Sequence, residues 1–193
     1  MMFYLWLVIA YISGAAPWSV WLGKLFYHID PRRQPDGNPG AANAFRSAGW
    51  KLGIPVLLLD FFKAFIPVFL AFRSGNFTGW QLFWIAFMPT VGHCFSIFLG
   101  FRGGRAITAL FGVWTGLTLY LAPLVMGATA VLSLFIIKND ELRAMTIPII
   151  LILFLAIIHE PLWMIALGIA QMIVLAGKIA LYLYQKQRVE KAA

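Results

Sequence analysis

Between Pro31 and Lys51 the chain reads PRRQPDGNPGAANAFRSAGWK, the longest polar interval in a sequence that is otherwise mostly apolar. Apolar runs flank it at about 2–27 and 51–73, each near the roughly 20 residues that a membrane-spanning helix needs. The interval therefore reads as a loop between two spans. Five more apolar runs follow, at about 79–99, 105–119, 121–137, 144–158 and 162–184. The expected fold is an all-α integral membrane protein, a bundle of seven transmembrane helices forming a single domain over 1–193.

Composition supports that class. Only 11% of the 193 residues are charged and 62% are hydrophobic, against roughly 25% charged in soluble domains. The net charge of +8 does not point to nucleic acid, because the basic residues fall in short loops between apolar runs. With the N-terminus outside, twelve of the 15 Lys and Arg residues lie in or beside the inner segments 28–50, 100–104, 138–143 and the tail after 184: Lys24, Arg32, Arg33, Arg46, Lys51, Arg102, Arg105, Lys138, Arg143, Lys186, Arg188 and Lys191. Loop charge of that sense sets an outside N-terminus and a cytoplasmic C-terminus. The first run, Met1 to Ala16, has no basic segment before it, so it reads as an uncleaved span. The lone Cys94 lies in an apolar run and leaves neither an internal disulfide nor a thiolate metal site, and no metal or cofactor is expected.

Within the polar interval, Gly37-Asn38-Pro39-Gly40-Ala41-Ala42-Asn43 combines turn formers with residues small enough for close backbone approach. Such a turn can aim successive N–H groups at an anion, and Arg32, Arg33, Arg46 and Lys51 surround it with cations. The plainer reading is a cytoplasmic loop held down by arginines. A second inner loop repeats the design: Gly100-Phe101-Arg102-Gly103-Gly104-Arg105 leads into the fourth apolar run. Glycines and arginine before a helix N-terminus suit an anion. His93 precedes this loop by about two helical turns; a lone histidine is usually structural, yet an ionisable group inside a membrane is a functional candidate. Asp60 and Lys63, spaced i,i+3, can pair on one helix face as a self-neutralising structural unit. Ser13, Gly14, Ser19 and Gly23 mark a packing face on the first run, and Lys24 can extend from it to a phosphate near the inner interface. No Gly-x-Ser-x-Gly elbow, Walker A loop or Cys–His pair is present, so neither an acyl-enzyme nor a nucleotide-driven mechanism has visible machinery.

These loops carry a resemblance. DGNPGAANAFRSAGWKLGIPVLLLDFFKAFIPV is similar to the pattern G-S-G-N-x-G-A-T-N-x-x-R followed by a span with L-D-x-x-K-G. GHCFSIFLGFRGGRAITALFGV is similar to G-H-x-F-P-x-F-x-x-F-K-G-G-K-G-V-A-T-x-x-G-V. Both patterns belong to the bacterial membrane glycerol-3-phosphate acyltransferases that use acyl phosphate as donor, the PlsY family, and the resemblance covers about residues 10–115. It implies transfer of an acyl group from acyl phosphate to the 1-hydroxyl of glycerol 3-phosphate in a bacterial inner membrane, among membrane lipid, in the first step of phospholipid synthesis. It further implies catalytic roles for His93, Asn43 and Arg105, and substrate binding by Lys24, Gly37, Asn38, Gly40, Ala41, Arg46, Gly103 and Gly104. Ala42 stands where the pattern has Thr, Arg102 and Arg105 where it has Lys, and Ala106 where it has Gly. KNDELRAMT stands for the pattern's later Arg-x-x-Ser, and YQKQRVEK for its terminal His-Arg-Glu-Asn. Two rival readings remain open: a paralogue with altered or lost catalysis that binds acyl phosphate or lysophospholipid, and a small anion transporter.

Overall fold

The computed structural model describes residues 1–192, without the side chains of Lys186, Val189, Glu190, Lys191 and Ala192. Two of the tail cations, Lys186 and Lys191, thus lie outside the described side chains. The described chain is helical: α1 (Met2–Ala15), α2 (Trp18–Tyr27), α3 (Ala41–Ala48), α4 (Trp50–Arg73), α5 (Trp80–Cys94), α6 (Ile107–Thr118), α7 (Leu121–Ile136), α8 (Asp140–Ile157) and α9 (Leu162–Ala192). Short 3₁₀ turns cover Pro31–Arg33 and Ile97–Leu99.

Each of the seven apolar runs corresponds to helix, but not each is one long helix. The first breaks at Ala16-Pro17, where proline cannot continue the ladder, and α1 and α2 meet at 42°. By length and composition three helical stretches can cross a membrane, Trp50–Arg73, Trp80–Leu99 and Leu162–Gln185, or four if the bent pair counts as one. Two others, α6 and α7, are apolar but only 12 and 16 residues long.

On α4 the alternation of surfaces runs opposite to a soluble helix. Leu58, Phe62, Ile66 and Leu70, four apart, are exposed, while Val56, Asp60, Lys63, Ala64, Val68 and Ala71 are buried. An outward apolar stripe and an inward polar pair are what a lipid environment favours. The core gathers residues of α4 to α9 around Trp114, including Val113, Leu151, Leu155, Leu167 and Leu175. Indole Nε1 of Trp114 donates to Gln171 Oε1 at 2.8 Å, and Gln171 Nε2 donates to Thr90 Oγ1 at 3.1 Å, so one buried polar chain ties α6, α9 and α5. Gly112 on α6 lies so close to the α4 backbone that an added Cβ would meet the carbonyl of Phe61.

The break between α1 and α2 is held by side chains from elsewhere. Lys63 Nζ donates to the Ala16 carbonyl at 2.7 Å and Ser96 Oγ to the Ala15 carbonyl at 2.5 Å. Ser13 Oγ donates in return to the Lys63 carbonyl at 2.6 Å. Backbone groups freed by the proline are thereby satisfied without water. The arrangement also brings the end of α5, and with it His93, against the first helix and α4.

Candidate active site

The first glycine loop is built on local hydrogen bonds. Asp30 caps the 3₁₀ turn, accepting from the Arg32 backbone N–H at 3.0 Å and from Arg32 Nη2 at 2.6 Å. That bonding with Arg32 holds the Asp30 carboxyl down to about 2, against partial burial that works the other way. Gly37 takes φ 59°, a conformation that favours glycine, and carries the chain into the turn. Gly40 then opens α3 with no side-chain cap. Its first N–H groups have no intrahelical acceptor and are open to a ligand.

The second loop folds back on the last turn of α5. Gly103 N–H donates to the Cys94 carbonyl at 3.1 Å and Gly104 N–H to the His93 carbonyl at 3.0 Å. A Cβ on Gly104 would stand 2.5 Å from His93 Nε2 and 2.8 Å from Asn38 Oδ1. Gly104 is the point where the two loops and the histidine meet. The chain then passes Arg105, enters α6 through Ala106 at φ 61°, and again lacks a side-chain cap.

Asp36 joins the two loops. Its Oδ1 accepts from the Asn38 N–H at 3.2 Å and from Asn43 Nδ2, and its Oδ2 accepts from Arg105 Nη2 at 3.1 Å. Arg46 Nη1 lies 3.6 Å from Asp36 Oδ2 and donates to Asn43 Oδ1 at 2.8 Å. Asn43, fully buried, also donates to the Asn38 carbonyl at 2.9 Å. Four of the expected site residues, Asn38, Asn43, Arg46 and Arg105, thus form one network around a carboxylate.

A cavity of about 480 Å³ opens in front of this network, lined by Gly37 and Asn38, by Arg102 to Arg105, and by Lys178 and Tyr182 of α9. Among the described residues that line it, Asp36 is the single carboxylate, against Arg102, Arg105 and Lys178. Lys178 Nζ donates to the Cys94 carbonyl at 3.0 Å and lies 5.3 Å from the Phe95 ring centre, while the Arg105 guanidinium lies 6.0 Å from that of Tyr182. A smaller cavity of about 80 Å³ shares Asn38 and Arg105 with the first and is also lined by Gly40, Ala41, Asp60 and His93. Arg46, Arg105 and Arg143 line a third of about 270 Å³, whose apolar side is Ala130, Leu134 and Ile147.

Of the expected site residues, Gly37, Asn38, Gly40, Ala41, Asn43, Arg46, His93, Gly103, Gly104 and Arg105 are brought together. Lys24 is not. Its side chain is 59% exposed, sits 3.7 Å from Asp30 Oδ2 and lines none of these cavities. Asp36 and Lys178 also belong to the site and carry no role in the sequence reading: an aspartate in a turn-forming stretch gives no signal of its own, whereas a lysine within LAGKIALYLY is itself a signal of function.

Two converging basic glycine loops, each ending at an uncapped helix, match a known family. The model of the family described as glycerol-3-phosphate acyltransferase matches residues 4–188. The chain belongs to the glycerol-3-phosphate acyltransferase family. It is 33% identical over 190 residues to glycerol-3-phosphate acyltransferase 1 of Thermotoga maritima, covering 95% of this chain and 93% of that one. The Fusobacterium nucleatum glycerol-3-phosphate acyltransferase is 33% identical over 172 residues, 88% of this chain and 86% of its own. Among solved structures, the glycerol 3-phosphate form of the integral membrane enzyme PlsY (YgiH) superposes with a TM-score of 0.86 at 24% identity, over 100% of this chain and 94% of that one. Its lysophosphatidic acid form gives 0.83 at 25% identity, over 92% and 88%. The fold is therefore that of an integral membrane acyltransferase. The family match also extends past the two loop motifs, so KNDELRAMT and most of YQKQRVEK lie inside it.

Proposed function

We propose that the chain transfers an acyl group from acyl phosphate to the 1-hydroxyl of glycerol 3-phosphate, giving lysophosphatidic acid and inorganic phosphate. The observation that carries this reading is the convergence of the Gly103-Gly104 turn, His93 and the Asn38–Arg46 segment on cavities that share Arg105. Both substrates are phosphates, and the chain offers guanidinium groups and two open helix N-termini to hold them.

Acyl phosphate is an activated mixed anhydride, so positioning and charge stabilisation suffice and no covalent enzyme intermediate is required. In the step we assign, the hydroxyl oxygen bonds to the acyl carbon, the carbon–oxygen bond to phosphate breaks, and phosphate leaves with its electron pair. The hydroxyl proton passes through His93, buried with Nδ1 unpartnered among the described residues, and ends on the departing phosphate. Arg105 and the first N–H groups of α3 and α6 hold the phosphate, and Asn43 and Arg46 keep the first loop in register.

We further assign seven spans, an outside N-terminus, and both glycine loops to the cytoplasmic face of a bacterial inner membrane. The Lys and Arg distribution supports this, as do the seven apolar helical segments. The short α6 and α7, about 18 and 24 Å at 1.5 Å per residue, fit a bundle whose inner end opens to a polar cavity. The test is product analysis on the purified protein. With acyl phosphate and glycerol 3-phosphate, phosphate and lysophosphatidic acid must appear in equal amounts; hydrolysis of the donor without acyl-glycerol product would reject the reading.

A further inference from the structure

Lys178 carries a charge that no described carboxylate matches. It stands half-buried on α9, within an apolar run, and lines the main cavity. Its Nζ donates to the Cys94 carbonyl at 3.0 Å, the one hydrogen bond it makes among the described residues, although an ammonium has three hydrogens to give. None of the ion pairs among the described residues includes it. Three arginines at the site are matched: Arg105 by Asp36, Arg46 by Asp36 and Asp140, and Arg143 by Asp140. A half-buried ammonium has lost part of its hydration, and an anion that reaches it offsets that loss.

The neighbours of Lys178 decide which anion. The Phe95 ring centre lies 5.3 Å from Nζ, Leu181 follows three residues later on α9, and Phe101 joins them in lining the cavity; all three side chains are exposed. Exposed apolar side chains of an integral membrane fold meet lipid, so this side of the cavity suits a molecule with an apolar chain. Glycerol 3-phosphate has no apolar part to place there. An acyl phosphate has a chain and a phosphate, joined at the bond that breaks. Residues four apart on a helix are neighbours, and Tyr182, four after Lys178, has its ring centre 6.0 Å from the Arg105 guanidinium. Lys178 therefore stands close to the cation already assigned to phosphate. The third cavity also joins cations to apolar residues, but its three arginines are the matched ones.

We infer that Lys178 is a substrate-binding residue for the donor, holding the phosphoryl group of the acyl phosphate while the acyl chain runs over Phe95 and Leu181 toward the lipid. This rests on the acyltransferase reading above. The lysine lies outside both glycine-loop patterns, KNDELRAMT and YQKQRVEK, so the resemblance gives it no part. When the carbon–oxygen bond breaks, phosphate departs with the electron pair, and an ammonium already beside it meets the added charge without rearrangement. The Cys94 carbonyl, which also accepts from the Gly103 N–H, fixes the lysine to the second loop.

The experiment measures the Michaelis constants for acyl phosphate and for glycerol 3-phosphate, and inhibition by inorganic phosphate at varied acyl phosphate, in the wild type, Lys178→Gln and Lys178→Arg. Glutamine keeps an N–H donor for the Cys94 carbonyl and removes the charge, whereas arginine keeps the charge. In Lys178→Gln the constant for acyl phosphate should rise roughly 10- to 100-fold, the range for a hydrogen bond to a charged group, with that for glycerol 3-phosphate within about threefold of wild type. The inhibition constant of phosphate should rise by a similar factor, and Lys178→Arg should restore most of both. A lysine that only props the second loop would leave the two Michaelis constants near wild type or move them together, and either result overturns the inference. A rise confined to glycerol 3-phosphate overturns it as well, since the lysine would then serve the acceptor. Should neither variant fold, labelling of Lys178 in the wild type by an amine reagent, read by mass spectrometry, decides: an acyl phosphonate that cannot transfer should protect it and glycerol 3-phosphate should not, and no such difference overturns the inference. A wild type that makes no lysophosphatidic acid defeats the acyltransferase reading, whereas an active wild type with an unmoved acyl phosphate constant in Lys178→Gln defeats this inference alone.

Discussion

Ala106 enters α6 in the left-handed region at φ 61°, at the position where the related motif carries glycine. An L-residue there costs roughly 1–2 kcal/mol, part of which glycine gives back through its freer unfolded chain. Ala106→Gly should therefore stabilise the protein by about 1 kcal/mol, a rise of roughly 2–4 °C in thermal unfolding in detergent; no rise would mean that the strain is relieved elsewhere. Gly104→Ala should act oppositely. Its Cβ would press on His93 Nε2 and Asn38 Oδ1, so kcat/KM should fall by roughly 100-fold or more, comparable to the loss of a transition-state donor. At this scale the loops were legible because glycine, asparagine and arginine have few other reasons to cluster in an apolar chain. Asp36 was not, because an aspartate before Gly-Asn is ordinary turn chemistry, and only tertiary folding brings Arg105 to it across 69 positions.

Among the elements, α4 carries the strongest internal constraint. Removing one partner of its buried ion pair strands the other, so Lys63→Met should cost about 3–5 kcal/mol, while Asp60→Leu/Lys63→Met should recover part of that, the remainder being the Ala16 carbonyl left without its donor. Urea or thermal unfolding of both variants checks the ordering, and equal stability of the two would contradict a coupled pair. The turn after α2 responds to acid. Because Asp30 is held to about 2, against about 3.9 in an unfolded chain, its contribution is complete above pH 4 and vanishes as pH falls through 2. The stability gap between wild type and Asp30→Asn should accordingly stay flat above pH 4 and close below it; a gap that persisted at pH 2 would remove the carboxylate from the account. The apolar runs announced their helices, but the break at Pro17 was hidden. Proline is tolerated within α4, α5 and α8, and what opens the first run is the Lys63 and Ser96 side chains that take over its carbonyls.

For the whole molecule, the two loops act together only if both lie on one side of the membrane, the side we propose from the loop charges. In a Cys94→Ser background, an impermeant thiol reagent applied from outside should label Asn76→Cys and spare Pro35→Cys; the reverse pattern would invert the orientation. The most direct test of the joint phosphate site is the pair of Michaelis constants, for glycerol 3-phosphate and for acyl phosphate, in Arg105→Ala measured beside Arg105→Lys. Arg105 lines all three cavities described at the loops and contacts Asp36. Arg105→Ala should lower kcat/KM roughly 100-fold or more with a raised constant for at least one phosphate substrate, and Arg105→Lys should retain part of the activity. Unchanged constants with unchanged turnover in Arg105→Ala would contradict the account.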